Sequence, residues 1–302
     1  MLFRRCLSFF TLLSIGFALP VWAERSVQDE RGTFTIQGTP KRIVVLEFSF
    51  VDALVNVGLS PVGIADDNHP DDLLPRVRNH LKPWVSLGMR SQPSLEEIAA
   101  LKPDLIIADS ERHASIYDSL SNIAPTLLLK SRGESYQENL ESAEKIGIVV
   151  NKRQEMQQSL RKHEALMETY RETFKKMGTI GTVQFAIASS RGVWLHGPTS
   201  YAGGVLKKLG ITSAIDDETR SPYLPASLEL LLKINPEWLL VGAYGDHTVL
   251  DDWRSQPLYA LLKAVKHHHV IAVSPQIWSL NRGIFAAESI AQNLQEILQN
   301  NH

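Results

Sequence analysis

The sequence predicts an α/β protein of two lobes with mainly parallel sheets, joined by one long rigid helix, with a ligand cleft between the lobes. Three observations carry that prediction. Short, continuous apolar runs alternate with helical segments; an internal repeat relates the two halves; and residues 151–176, between the halves, contain neither glycine nor proline. The chain has 302 residues, 44% hydrophobic and 21% charged, with a net charge of −2. That balance excludes a disordered chain, a collagen or coiled coil, and a strongly basic nucleic-acid binder. The single cysteine, Cys6, excludes a disulfide framework, a thiolate zinc site and an iron–sulfur cluster.

Residues 1–23 read as a secretory signal peptide. Arg4-Arg5 is followed by an apolar stretch from Cys6 to about Leu19, and Val21-Trp22-Ala23 sets small residues at −3 and −1 of a cut before Glu24. A membrane anchor is the alternative, but the apolar core is short of the ~20 residues a span needs. Cleavage removes the cysteine and two of the 31 basic residues with no acidic one, so the net charge moves from −2 to −4. An exported, cysteine-free and mildly acidic chain points to a bacterial periplasm.

Strands are expected at 42–46, 62–65, 105–108 and 126–129 in the first half, and at 182–188, 238–241 and 270–273 in the second. Each is a continuous apolar run, as parallel strands covered on both faces require. Each half therefore reads as a Rossmann-like lobe, 24–150 and 178–302. The segment 151–177 reads as a linking helix, rich in Glu, Gln, Lys, Arg, Met and Leu, with Gly178 as its stop. Met156, Leu160, His163, Leu166 and Tyr170 give it one narrow inward face, and its stiffness should limit lobe closure to a small hinge motion.

The repeat is visible twice. Ser94-Leu95-Glu96, then Leu101-Lys102-Pro103-Asp104-Leu105-Ile106, recurs at Ser227-Leu228-Glu229, then Ile234-Asn235-Pro236-Glu237-Trp238-Leu239, shifted by 133. Gly58 within Val57-Gly58-Leu59 matches Gly210 within Leu209-Gly210-Ile211, shifted by 152, and both copies run on to paired aspartates, Asp66-Asp67 and Asp216-Asp217. Two matches in one order argue for duplication, with an insertion around residues 68–87 of the first half.

Ligands of open α/β sheets gather beyond the carboxyl ends of the strands. Those ends carry Arg112 with Asp109 and His113, Arg132, Arg191, Tyr244, and Trp278 with Arg282; Arg90 precedes the Ser94 helix. Guanidinium groups pair with carboxylates in bidentate fashion and keep their charge when partly desolvated. The expected ligand is a small polyanion of carboxylates or phosphates, with Trp278 and Tyr244 as walls. Glu96 and Glu229 recur as acidic residues at helix starts. A favourable helix-dipole placement accounts for them, as does a pair of acidic knobs set to meet a two-fold partner. Ser94 and Glu97 read as a capping box. His267-His268-His269 lacks spaced partners for a metal, and no metalloprotease, phosphate-loop or nucleophile-elbow motif occurs. Catalysis is poorly supported; an enzyme of small carboxylates or phosphates would have to start from His113 and Asp109.

These residues resemble the helix-linked periplasmic binding proteins of ABC importers for iron–siderophore complexes, haem and vitamin B12. The resemblance rests on Pro93-Ser94-Leu95-Glu96, Leu101-Lys102-Pro103-Asp104-Leu105-Ile106, and Trp278, Gly283 and Ala286. Within the family, Gly63-Ile64-Ala65-Asp66-Asp67-Asn68, Ile107-Ala108-Asp109-Ser110, Leu128-Leu129-Lys130-Ser131-Arg132 and Arg282-Gly283-Ile284-Phe285-Ala286 are similar to the ferric dicitrate-binding members. The similarity is looser over 182–262. It implies a non-enzymatic, monomeric binding protein with no intrinsic cofactor, whose iron(III) arrives chelated by citrate. Arg90, Arg112, Arg132, Arg191, Tyr244, Trp278 and Arg282 would hold the ligand. Glu96 and Glu229 would dock on the two subunits of an inner-membrane permease driven by cytoplasmic ATPases. Another ferric siderophore or haem is the nearer alternative.

Overall fold

A computed structural model describes residues 24–215 and 221–301. The expected leader with Cys6, and the Asp216-Asp217 pair of the second repeat, lie outside the described residues. The described residues open with an antiparallel hairpin, β1 (Glu24–Asp29) and β2 (Gly32–Gln37). Glu30 N–H donates to the Leu128 carbonyl at 3.0 Å and Leu128 N–H to the Asp29 carboxylate at 3.1 Å. The hairpin thus covers a strand edge that would otherwise stand open.

The first lobe then runs β3 (Ile43–Val45), α1 (Phe48–Asn56), β4 (Gly63–Ile64), α2 (Pro75–Arg78), β5 (Val85–Ser86), a small hairpin β6 (Gly88–Met89) and β7 (Gln92–Pro93), α3 (Leu95–Ala100), β8 (Leu105–Asp109), α4 (Tyr117–Ile123), β9 (Thr126–Leu129) and α5 (Tyr136–Val149). Its sheet has the order β5-β4-β3-β8-β9 and every pair is parallel. The linking helix is α6 (Arg153–Lys176). The second lobe follows as β10 (Val183–Ser189), β11 (Gly192–His196), α7 (Tyr201–Lys208), β12 (Tyr223–Ala226), α8 (Leu228–Ile234), β13 (Trp238–Ala243), α9 (Val249–Arg254), α10 (Lys263–Lys266), β14 (Val270–Val273), a π-helical turn over Gln276–Leu280, and α11 (Ile284–Asn300).

The second sheet, β12-β11-β10-β13-β14, is parallel only between β10, β13 and β14; β11 and β12 are antiparallel. The chain folds back directly from β10 into β11 through the turn Ser190-Arg191, and Gly192, which opens β11, has φ +151°. The place of a parallel neighbour is reduced to one bridge, Thr182 with Thr212. The 133-residue shift nonetheless superposes starts: α3 and β8 at Leu95 and Leu105 match α8 and β13 at Leu228 and Trp238. Gly58 and Gly210 both end a helix with positive φ, +73° and +76°.

The continuous apolar runs are explained by cores on both faces. In β8, Leu105 and Ile107 face one core while Ile106 and Ala108 face another; in β10, Phe185 and Ile187 do the same against Ala186 and Ala188. The largest core is not confined to one lobe. It continues from Leu54 of α1 and Ile146 of α5, through Met156, Met167 and Phe174 of α6, to Leu206 of α7 and Leu294 of α11. Met167, not Leu166, completes the inward face of α6; Leu166 is exposed. The face runs 156, 160, 163, 167, 170, 174, the alternating three- and four-residue step of a helix stripe.

Two glycines allow the lobes this contact. A Cβ on Gly204 of α7 would stand 2.8 Å from Tyr136 Cβ of α5, and one on Gly283 would stand 2.3 Å from Asp52 Cγ of α1. Asp52 accepts the Phe285 N–H at 3.1 Å, capping α11 from the other lobe. Tyr201 Oη donates to the Gly283 carbonyl at 2.5 Å and accepts the Gly283 N–H at 3.0 Å.

Candidate functional site

Strand ends of the first sheet converge with the loop before α11 on one cavity of about 210 Å³. Arg90, Arg112, Arg132, Arg282 and Tyr244 line it, joined by Tyr223, Ser279 and Leu280. Arg191 faces a neighbouring hollow of about 470 Å³ with Ile187, Ser189 and Trp194; Tyr244 borders both. Trp278 is not a wall. It lies fully buried against Phe185, ring centroids 5.2 Å apart, and its indole N–H donates to Asn293 Oδ1 at 2.8 Å. The π-helical turn that carries it points Trp278 into the core and presents Ser279 and Leu280 to the cavity.

Asp109, at the end of β8, builds the loops that carry two of these arginines. Its Oδ1 accepts the Ser131 and Arg132 N–H groups at 2.7 and 3.0 Å, and its Oδ2 accepts those of Arg112 and Glu111 at 2.7 and 3.1 Å. His113 is fully buried; its Nδ1 accepts the Asp109 N–H at 2.9 Å, so Nε2 carries the proton and donates to the Arg90 carbonyl at 2.7 Å. Burial lowers its pKa further from the ordinary histidine value. Both ring nitrogens and both Asp109 oxygens are thus committed to the backbone, and the pair from which an enzyme would have to start serves as scaffold.

The arginines rest on carboxylates that the strand-end reading passed over. Asp67, after β4, accepts the Arg90 backbone N–H on Oδ1 at 2.6 Å and takes both Nε and Nη2 on Oδ2, at 2.8 and 2.7 Å. The Arg90 guanidinium lies over the Phe48 ring, 4.1 Å from its centroid. Glu134 holds Arg282 Nε at 3.1 Å, and Ser131 Oγ accepts Arg282 Nη2 at 3.0 Å. Glu47, just beyond β3, sits beneath the cavity, fully buried, with Arg112 Nε at 2.6 Å, Arg90 Nη1 at 3.5 Å and Arg282 Nη2 at 3.7 Å. Neither Glu47 oxygen has a directed hydrogen bond, so charge alone holds it.

These environments move the titrations in opposite senses. Burial pushes Glu134 up to about 8 against the pull of Arg282 and Asn139. Burial also raises Glu47, opposed in turn by Arg282, Arg90 and Arg112. Burial would lower Arg282, but Glu134 and Glu47 outweigh it and hold its pKa above the ordinary value. The cavity therefore presents four guanidinium groups, and burial displaces both fully buried partners beneath them, Glu47 and Glu134, towards the neutral form. A larger hollow of about 480 Å³ at the foot of the second sheet has only Arg171, Lys175 and Glu237 as charged lining, and Glu237 is engaged by Thr182 and Lys263.

Glu96 and Glu229 are exposed in the first turns of α3 and α8. Ser94 Oγ accepts the Glu97 N–H at 3.2 Å and Ser227 Oγ the Leu230 N–H at 3.3 Å. The Ser94 N–H is spent on the Leu87 carbonyl at 2.9 Å, so the capping box is only half formed and Glu97 also stays exposed. His269 of the histidine run stacks flat on Trp238 at 3.6 Å.

Residues 43–277 match the family model described as periplasmic binding protein. The chain is 48% identical over 273 residues to the Fe(3+) dicitrate-binding periplasmic protein FecB of Escherichia coli, covering 90% of this chain and 89% of the relative. It is 40% identical over 276 residues to the Fe(3+)-citrate-binding protein YfmC of Bacillus subtilis, covering 91% and 86%. Among solved structures, Staphylococcus aureus SirA complexed with staphyloferrin B is similar with a TM-score of 0.79 and 25% identity, over 91% of this chain and 98% of that one. With two sheets bridged by a helix, a cleft at their strand ends, and a family match spanning both lobes, the chain belongs to the periplasmic binding protein family.

Proposed function

We propose that this chain is the substrate-binding protein of an ABC importer, that it captures iron(III) dicitrate in the periplasm, and that it performs no catalysis. The observation that carries the reading is the cluster of Arg90, Arg112, Arg132 and Arg282 around one cavity. Guanidinium groups do not ligate iron; they bind the carboxylates of a chelate that brings its own donors. A site for free metal needs converging His, Cys, Asp or Glu, and no group of three or more able to hold an ion occurs among the described residues. The names of the two curated relatives support citrate as the chelator.

Arg112, Arg132 and Arg90 come from the first lobe, while Arg282, Tyr244 and Arg191 come from the second, so an anion between them touches both. The apolar core shared by the lobes favours a small hinge motion over wide closure, with 24–150 and 178–302 moving about helix 151–177. Glu96 and Glu229 then offer one carboxylate per lobe to two inner-membrane permease subunits, and the leader 1–23 delivers the chain to the periplasm. Titration of the mature chain with ferric citrate, iron-free citrate and a catecholate siderophore tests the ligand. Saturation by ferric citrate at concentrations where the catecholate gives no signal is expected; preference for the catecholate would overturn the choice of chelate.

A further inference from the structure

Glu47 is an expensive residue to keep in a site built for an anion. It is fully buried, it places a negative charge under the cavity floor, and it competes with the ligand for the same guanidinium groups. The arginines do not all need it for position. Arg90 has the Asp67 Oδ2 on its Nε and Nη2, and Arg282 has Glu134 and Ser131. What Glu47 does is touch Arg90, Arg112 and Arg282 at once, from below, while each of them faces the cavity from above.

We propose that Glu47 is the proton-linked counter-ion of this cleft: a carboxylate when the cavity is empty, and a neutral carboxyl once a polyanionic chelate takes over its three guanidinium partners. The proton comes from solvent and bonds to one Glu47 oxygen; no covalent bond to the ligand forms. This rests on the anion-binding reading above.

Arg282, Arg90 and Arg112 favour its charged form, whereas burial and the carboxylate of Asp109 disfavour it; Glu134, across Arg282, adds to the disfavouring side. Its state in the empty cleft is a balance between these. Ligand carboxylates within the same cavity add negative charge and draw the guanidinium groups upward, which weakens every interaction favouring the charged form and none of those opposing it. Oε1 stands against Arg112 Nε at 2.6 Å, whereas Oε2 has its guanidinium neighbours only at 3.5 and 3.7 Å and is the oxygen with room for the proton. Glu134 shares Arg282 and titrates with it as a coupled pair, so the pair sets the macroscopic midpoint.

The test is calorimetric titration of the full mature chain with ferric citrate, and separately with iron-free citrate, in phosphate and in Tris at one pH. The difference in apparent enthalpy counts protons exchanged on binding. Wild type should take up about one proton more than Glu47→Gln, and its affinity should rise by up to about tenfold per unit fall in pH where the variant does not follow. Subtracting the variant removes the chelate's own protonation. Infrared difference spectra of wild type should also gain a protonated-carboxyl C=O band on binding, which needs no variant to fold. Binding with equal proton counts in wild type and variant, or with no new carboxyl band, refutes this inference while leaving the anion site standing. Absence of binding heat with both ligands refutes the anion site and this inference with it.

Discussion

Replacing Asp109 should damage the cleft and the fold together, because one buried carboxylate positions two ligand-facing loops. Its two oxygens accept four backbone N–H groups, from Glu111, Arg112, Ser131 and Arg132, at 2.7 to 3.1 Å. A hydrogen bond to a charged group contributes roughly 1.5–3 kcal/mol, and an orphaned buried donor costs roughly 1–3 kcal/mol. Glu111, Arg112 and Arg132 are at least partly exposed residues, whereas Ser131 is fully buried, so the Ser131 N–H is the donor left most completely without a substitute. Asp109→Ala should therefore lose roughly 3–6 kcal/mol, short of the full sum over four bonds. Asp109→Asn keeps one accepting oxygen and turns an amide N–H₂ towards the other two donors, so it should lose a comparable amount in spite of its shape. Guanidinium denaturation measures the stability loss, and ferric citrate titration should show both variants binding at least tenfold more weakly. Unfolding midpoints and affinities close to wild type for Asp109→Ala would refute the claim that this residue organises the site.

Other expectations follow from the same geometry. Gly283→Ala forces a Cβ to 2.3 Å from Asp52 Cγ at φ +142°, and should cost roughly 2–4 kcal/mol, read as a lowered Tm; an unchanged Tm would mean that α1 and α11 are not held at this distance. Burial pushes Asp52 up to about 7, above its unfolded value near 4, so the folded state binds a proton first as pH falls. Between pH 7 and about 4 this group should add stability on acidification, by up to about 1.4 kcal/mol per pH unit, and Asp52→Asn should flatten that slope in denaturation curves. Trp194, which lines the hollow beside the cavity, should report ligand binding, whereas Trp278 is sealed in the core; Trp194→Phe should remove most of the fluorescence change and Trp278→Phe little of it. Glu96→Lys with Glu229→Lys should abolish ferric citrate uptake by cells while the purified protein binds normally; loss of binding instead would make them ligand or fold residues.

Much of this was readable in the sequence, and the gaps have physical causes. The runs at 105–108 and 238–241 are unbroken because both faces of their strands are covered, and the same fact made them visible. The long helix needed only its composition and Gly178. The hairpin partner β11, Gly192–His196, is hard to read from sequence because its apolar run is only the three residues Val193-Trp194-Leu195, flanked by Gly192 and His196. The sequence points to Leu166 where packing selects Met167, because a stripe read at steps of three and four drifts by one position without packing to fix it.

The site was half legible. Five of the seven residues expected to hold the ligand line one cavity, because arginines at strand ends have nowhere else to converge. Its acidic floor was missed, although Glu47 and Asp67 stand just beyond β3 and β4, where the strand-end rule applies equally. A search for groups that attract an anion overlooks the carboxylates that hold those groups in place. Trp278 was misplaced because an aromatic residue after a strand fits a wall or a core equally well in sequence, and only the π-helical turn decides between them.

The most direct measurement is calorimetric titration of wild type and Arg112→Ala with ferric citrate under one set of conditions. Arg112 is the cleft arginine whose departure leaves Arg90 and Arg282 with their own carboxylate partners. Wild type should bind saturably, and the variant should bind about tenfold more weakly or worse, the effect of losing a contact of roughly 1.5–3 kcal/mol. Superimposable isotherms for the two proteins would contradict the account.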